Sequence, residues 1–256
     1  MATVMIVIPA RYHSSRFPGK PLALLRGKPL ISWVVERCQQ ARNAARVLVA
    51  TDDQRIMDQV VTNGAEAEFT SPHHQSGSER VAEVASRHQE ITWFINVQGD
   101  EPDIDPELID QLIKKLIELD DPTTIVTARC PIKNKVDFRS PNVVKVVADF
   151  TGRALYFSRA PIPSSIDTNN GRKNFTAGNC WQHVGIYGYH RSFLQKLATM
   201  QPGALEQNEQ LEQLRWLENG YQIQLLDIAR PSIGVDTPEE LIQLEKKWQQ
   251  LTVKPG

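Results

Sequence analysis

The chain has 256 residues, 41% of them hydrophobic, and its 29 Lys and Arg against 30 Asp and Glu give a formal net charge of −1. That balance excludes a disordered chain, which combines high net charge with low hydrophobicity, and a dedicated DNA-binding domain, which is basic as a whole. Three cysteines without C-x-x-C spacing, no apolar run of about 18 residues and no signal peptide make the cytoplasm the expected compartment.

A β-branched run over residues 3–8 predicts a strand buried on both faces, as in a parallel sheet. A polar loop follows over residues 9–28. Residues 29–42 read as a helix with Pro29 in its first turn and Leu30, Ile31, Val34 and Val35 at helical spacing. Next come a strand (46–50), a helix (53–63) closed by Gly64, a short strand (65–69), a helix (78–88) and a fourth strand (92–97). A further helix spans 105–119, with Asp105 as its N-cap and Pro106 at its first position.

Strands alternating with helices of this length are the mark of βαβ units and a parallel sheet. The alternation stops near residue 120. Strand-like runs at 123–129, 143–149, 154–158 and 184–189 have few helices between them, which predicts an antiparallel extension or mixed-sheet subdomain. Residues 161–179 are polar and broken by Pro and Gly, as in a mobile surface loop. Helices at 191–198, 205–219 and 238–251, with a strand at 222–228, close the chain.

The near-zero charge is unevenly laid out. Residues 1–30 carry Arg11, Arg16, Lys20, Arg26 and Lys28 and no carboxylate, whereas residues 98–121 carry nine carboxylates against Lys114 and Lys115. In open α/β sheets ligands bind at the carboxyl ends of strands, and the basic loop follows the first strand. It fits neither G-x-G-x-x-G nor a P-loop. Its cations, its hydroxyls Ser14 and Ser15 and its free N–H groups suit a polyphosphate.

The turn after the fourth strand, Gln98-Gly99-Asp100-Glu101-Pro102, sets Asp100 at the same end of the sheet. A carboxylate facing phosphate-binding cations repels the substrate unless a metal lies between, and Mg²⁺ binds through one or two carboxylates plus phosphate oxygens. Asp103-Ile104-Asp105 offers a competing D-x-D, as in nucleotide-sugar glycosyltransferases. Asp105 is better explained as a helix cap and Asp103 as a solvated turn residue, so Asp100 is preferred. In Val235-Asp236-Thr237-Pro238, Asp236 or Thr237 caps the last helix, or Asp236 is a ligand; the residues alone leave both readings open. His73 and His74, adjacent on a loop, are assigned to no metal.

Several blocks together resemble the 3-deoxy-manno-octulosonate (Kdo) cytidylyltransferase family, the CMP-Kdo synthetases. They include Ile8-Pro9-Ala10-Arg11, Ser14-Ser15-Arg16, Pro18-Gly19-Lys20-Pro21-Leu22 and His74-Gln75-Ser76-Gly77-Ser78-Glu79-Arg80. Asn96-Val97-Gln98-Gly99-Asp100-Glu101-Pro102, Val144-Lys145-Val146-Val147, Ala154-Leu155-Tyr156-Phe157-Ser158-Arg159 and His183-Val184-Gly185-Ile186-Tyr187 continue the series, and Leu211-Glu212-Gln213-Leu214-Arg215 and Gly234-Val235-Asp236-Thr237-Pro238 complete it.

The resemblance implies a Rossmann-like three-layer nucleotide-diphospho-sugar transferase fold, α/β, with a mostly parallel sheet and a smaller mixed or antiparallel subdomain. It implies one domain over 1–256, with a nucleotide-binding half (1–120) and a sugar-binding, dimer-forming half (121–256). The reaction would be CTP plus Kdo giving CMP-Kdo and pyrophosphate for lipopolysaccharide biosynthesis, in a cytoplasmic homodimer with no nucleic-acid or membrane partner. Arg11 and Lys20 would hold the triphosphate with Ala10, Ser14, Ser15 and Arg16. Ser76, Gly77, Ser78 and Arg80 would meet the cytosine, and Asp100 and Asp236 would hold Mg²⁺. Gln98, Arg159, His183, Tyr187, Glu212 and Gln213 would line the Kdo site. The alternatives are an analogue such as 8-amino-Kdo, a glycosyltransferase using Asp103 and Asp105, and a non-catalytic nucleotide-binding regulator.

Overall fold

The computed structural model describes residues 3–14, 16–164 and 178–252. The described residues form two compact units, Met1–Lys114 with Ser232–Gly256, and Lys115–Pro231.

The first unit begins with β1 (Val4–Ala10), whose residues Val4 to Ile8 are at most 1% exposed. The expected polar loop is not wholly irregular. It contains a one-turn 3-10 helix (Lys20–Leu22) and a small hairpin, β2 (Leu24–Leu25) and β3 (Lys28–Pro29). Pro29 pairs with Leu24 in that hairpin and is therefore extended (ψ 142°). It is the N-cap of α1 (Leu30–Gln39) and not, as its sequence position suggests, a residue of the first turn. Then follow β4 (Arg46–Thr51), α2 (Gln54–Thr62), β5 (Glu66–Phe69), α3 (Gly77–Arg87), β6 (Trp93–Asn96) and α4 (Pro106–Leu119).

β1 is the axis of this unit. It pairs in parallel with β4 on one side and β6 on the other, and β4 pairs in parallel with β5. The chain thus reverses its strand order beside β1, where loops on either side diverge and leave a crevice.

The second unit holds β7 (Thr124–Pro131), α5 (Lys135–Arg139), β8 (Lys145–Ala148), β9 (Ala154–Ser158), β10 (Trp181–His190), α6 (Arg191–Leu197), α7 (Ala204–Glu209), α8 (Glu212–Glu218) and β11 (Gln222–Asp227). β10 is antiparallel to β7 and β8, β8 is antiparallel to β9, and β11 runs parallel to β7. This is the mixed sheet expected after residue 120. The helix expected over 205–219 is two helices. Gln210 between them adopts a left-handed conformation (φ 53°), so one continuous helix is excluded. Most of the loop expected over 161–179 lies outside the described residues.

The last helix, α9 (Pro238–Thr252), belongs to the first unit and not to a C-terminal half. Its Leu244 joins Leu25, Leu30 and Val235 in a buried cluster, with Phe17, Trp33, Leu241 and Trp248 packed against it. Trp33 and Trp248 meet edge to face at 5.0 Å. All three cysteines are free and buried. Among the described residues no helix is long and apolar enough to cross a membrane.

Candidate active site

The carboxyl ends of β1 and β6 open into a cleft of about 260 Å³. Pro9 and Ala10 from β1 line it, as do Gln98, Gly99 and Asp100 from the turn after β6. Gly99 is required by close approach: a Cβ there would stand 2.8 Å from the Pro9 carbonyl oxygen.

The basic loop is folded back on Tyr12. Gly19 donates its N–H to the Tyr12 carbonyl (2.9 Å) and takes φ 72°, which glycine alone adopts without strain. On the Tyr12 ring the Arg55 guanidinium carbon sits 3.3 Å from the centroid. Arg55 is itself anchored by Asp53, the N-cap of α2, at 2.9 and 2.6 Å. With its aromatic residue fixed, the loop presents Arg11, Ser14, Arg16 and Lys20 to the cleft. Ser15 lies outside the described residues.

The opposite wall is the start of α3. Ser76 caps that helix, its hydroxyl accepting from the Glu79 N–H at 3.2 Å, and His74, Gln75, Ser76, Gly77 and Arg80 line the cleft. A helix N-terminus offers free N–H groups and positive potential to an anion. Ser78 is 2% exposed and is not among the lining residues. Arg80 is 3% exposed and donates to Asp52 (3.0 Å) and to the Thr70 hydroxyl. The His74 Nε2 lies 2.5 Å from the Glu83 carboxylate.

On the floor the two long-range carboxylates meet. The Lys20 ammonium contacts Asp100 and lies 3.2 Å from Asp236, while Arg16 reaches Asp236 at 3.0 Å. Here the helix cap falls to Thr237 and not to Asp236. The Thr237 hydroxyl accepts from the Glu240 N–H (3.3 Å), and the Glu240 carboxylate accepts from the Asp236 and Thr237 N–H groups (2.6 and 3.1 Å). That is a capping box built on Thr237 and Glu240. The Asp236 carboxylate takes no part in it and pairs with Lys20 and Arg16 instead. The Val235 N–H donates to the Asp100 carbonyl (2.9 Å), which ties the two segments together.

Behind Asp100, Glu101 accepts from the Ser232 hydroxyl at 2.5 Å, and burial pushes its carboxyl up to about 7, with the charge of Asp100 adding to the rise. Asp105 accepts from the Glu107 N–H (3.0 Å) and caps α4, as expected, which removes it from the competing D-x-D.

The donor set fits a hard divalent cation. Asp100 and Asp236 are oxygen donors already gathered around a cationic group, and no cluster of three or more metal-binding side chains occurs among the described residues. A cation here would have two protein carboxylates and would complete its shell with phosphate oxygens and water, the habit of Mg²⁺.

The second unit holds the remaining expected site residues. His183 is 9% exposed, and its Nε2 lies 3.0 Å from the Thr127 hydroxyl. Burial lowers its pKa to about 3, so it serves as a neutral hydrogen-bonding ring. Tyr187 lies 5.4 Å from the His183 ring and meets Trp216 edge to face at 5.0 Å; burial pushes its phenol well up, keeping it protonated. Gln213 is 4% exposed, and Glu212 opens α8. Arg159 directs its guanidinium to three backbone carbonyls: Glu209 (2.8 Å), Pro141 (3.0 Å) and Gln210 (3.3 Å).

Sequence reasoning missed Asp52 and Thr70, which hold Arg80. Asp52 follows β4 directly, so the rule that ligands gather at the carboxyl ends of strands points to it.

The sequence profile of the family described as Cytidylyltransferase matches residues 5–225. A 3-deoxy-manno-octulosonate cytidylyltransferase of Geobacter sulfurreducens is 49% identical over 249 residues, covering 95% of this chain and 98% of the relative. The chain belongs to this family. A second member, from Geotalea daltonii, is 48% identical over 93% of the chain and 95% of its own length. A solved CMP:2-keto-3-deoxy-manno-octonic acid synthetase complexed with CTP superposes with a TM-score of 0.89 at 39% identity, covering 98% of this chain and 100% of that one. The family member described here is an α/β protein of the same fold, with its parallel strands in the order β6-β1-β4-β5.

Proposed function

We propose that the protein transfers CMP from CTP to Kdo, releasing CMP-Kdo and pyrophosphate, as a Mg²⁺-dependent enzyme. The observation that carries this reading is the meeting of Lys20 with both Asp100 and Asp236 in a cleft walled by the basic loop and the α3 N-terminus. Held by Asp100 and Asp236, Mg²⁺ would neutralise phosphate charge and make the attacking hydroxyl easier to ionise.

Phosphoryl-group transfer asks for alignment and charge neutralisation more than for covalent help. Arg11, Arg16 and Lys20 supply cations for the triphosphate, with Ser14 and the Ser76–Gly77 backbone as neutral donors. On CTP–metal binding Lys20 would exchange its carboxylate partners for phosphate oxygens. Arg80, fixed by Asp52, supplies a rigid polar edge for a pyrimidine base. Arg159 has the planar fork that suits the carboxylate of a sugar acid. By the resemblance, His183, Tyr187, Glu212, Gln213 and Gln98 are the hydrogen-bonding residues assigned to its hydroxyls. The resemblance extends the proposal to a cytoplasmic homodimer that serves lipopolysaccharide synthesis; light scattering checks the dimer.

Pyrophosphate release tests the reaction. It should appear only with CTP, Mg²⁺ and Kdo together, and its absence under those conditions sinks the reading. Running the assay against other nucleotides and against 8-amino-Kdo sets the specificity. A glycosyltransferase would release a nucleoside phosphate and would need Asp103, so Asp103→Ala should leave turnover nearly unchanged.

A further inference from the structure

Lys145, the first residue of β8, is fully buried, and the proposed reaction gives it no task. Its ammonium donates to three backbone carbonyls, of Ser140 (2.8 Å), Val143 (2.5 Å) and Arg159 (2.6 Å). All three bonds go to neutral oxygens. A buried cation is costly unless its charge is used, and an apolar side chain of the same length would fill the space more cheaply. Burial accordingly lowers its pKa, and the nearby Arg159 charge adds to the fall while Glu209 opposes it.

The Arg159 peptide is clamped from both ends. Its carbonyl accepts from Lys145, and its N–H donates to the Glu209 carboxylate (2.8 Å), which also accepts from the Ser158 hydroxyl (2.6 Å). The Arg159 side chain is fixed as well, by the carbonyls of Pro141, Glu209 and Gln210. Gln210 holds its carbonyl there from a left-handed conformation (φ 53°, ψ 48°), a strain that persists only where the surroundings impose it. Among the described residues, three of the five N–H groups of the fork are used in this way, which leaves two for a ligand. Two cations, Lys145 and Arg159, thus face a single carboxylate, Glu209. The cluster carries surplus positive charge and a fork of fixed direction.

We infer that Lys145 is a positioning residue: it anchors the Arg159 main chain and adds positive charge, and so sets the affinity for the carboxylate of the sugar-acid substrate. This rests on the proposed function, because it is the acid's carboxylate that Arg159 would grip.

The test is steady-state pyrophosphate release with each substrate varied in turn, together with thermal melting, for wild type, Lys145→Met and Glu209→Gln. Lys145→Met should raise KM for Kdo about tenfold or more while KM for CTP stays within about twofold. Glu209→Gln, which keeps the shape and one accepting oxygen for the Arg159 N–H but removes the charge behind Arg159, should shift the Kdo KM at least about threefold, again without the CTP KM. A folded Lys145→Met protein with both KM values unchanged overturns the inference. So does a loss of kcat with no change in either KM, or an equal rise in both, each the mark of a merely structural role. If Lys145→Met does not fold, Glu209→Gln decides by the same criteria. An inactive wild type overturns the proposed function and this inference with it, whereas an active wild type beside unaffected variants overturns this inference alone.

Discussion

Asparagine at position 236 and alanine at position 237 should separate two tasks that lie side by side in the chain. Thr237 caps α9 through one bond of 3.3 Å, half of a capping box whose other half, from Glu240, survives the substitution. Thr237→Ala therefore removes one cap of the weaker kind, about 1 kcal/mol. In a protein of this size that lowers Tm by roughly 2–4 °C. Its kcat/KM should stay within about threefold of wild type.

Asp236→Asn should behave in the opposite way. The Asp236 side chain is 45% exposed and its partner Arg16 65%, so that pair is screened, and its second partner, Lys20, keeps Asp100; the loss to stability should stay below about 1 kcal/mol. Tm should hardly move. Loss of a carboxylate that would carry the metal should remove about 3 kcal/mol or more of transition-state stabilisation, at least a hundredfold in turnover. Differential scanning calorimetry beside the pyrophosphate assay reads both axes. If Asp236→Asn keeps its turnover, the two-carboxylate metal site is refuted.

Asp52→Asn removes the charged partner of an almost fully buried guanidinium, and should cost about 2–4 kcal/mol in urea unfolding and raise KM for CTP through a loosened Arg80. A wild-type urea midpoint would show that Asp52 does not position Arg80. His183 has a folded-state pKa near 3 against an ordinary 6.5, so the unfolded chain takes up its proton first as pH falls. Stability from this group is complete above about pH 6.5 and is lost as pH drops toward 3, by about 1.4 kcal/mol per unit. His183→Gln should flatten that part of the stability–pH curve, and an unchanged acid slope would contradict the assignment. Gly99→Ala puts a methyl group 2.8 Å from the Pro9 carbonyl oxygen, which is backbone and cannot rotate away. It should destabilise by about 1–3 kcal/mol and raise KM for CTP, since both residues line the cleft. A variant with wild-type melting and kinetics would mean that the two strand ends part freely.

Much of the architecture was legible because it is written in local patterns. The apolar run of β1, the alternation of strands and helices up to residue 119, the strand-rich region beyond and the Asp105 cap each depend on neighbours within a few residues. The basic loop was legible too, since a carboxylate-free stretch after a buried strand is visible in one dimension. The resemblance supplied the residues proposed for the sugar acid, whose separate signals are weak: a histidine, a tyrosine and a glutamine in an aromatic core look structural, and in part they are.

Only the tertiary structure decided which carboxylates share a cation. Asp236 and Thr237 are equally good caps on paper. It took the Val235–Asp100 bond and the packing of α9 on Leu25 and Leu30 to carry Asp236 to Lys20 and leave Thr237 at the helix end. The break at Gln210 and the burial of Lys145 were less visible, because each has a partner in another part of the chain, Arg159 in both cases. Periodicity and capping are short-range and survive in sequence. Charge pairing across a cleft depends on distances that exist only after the chain has closed on itself.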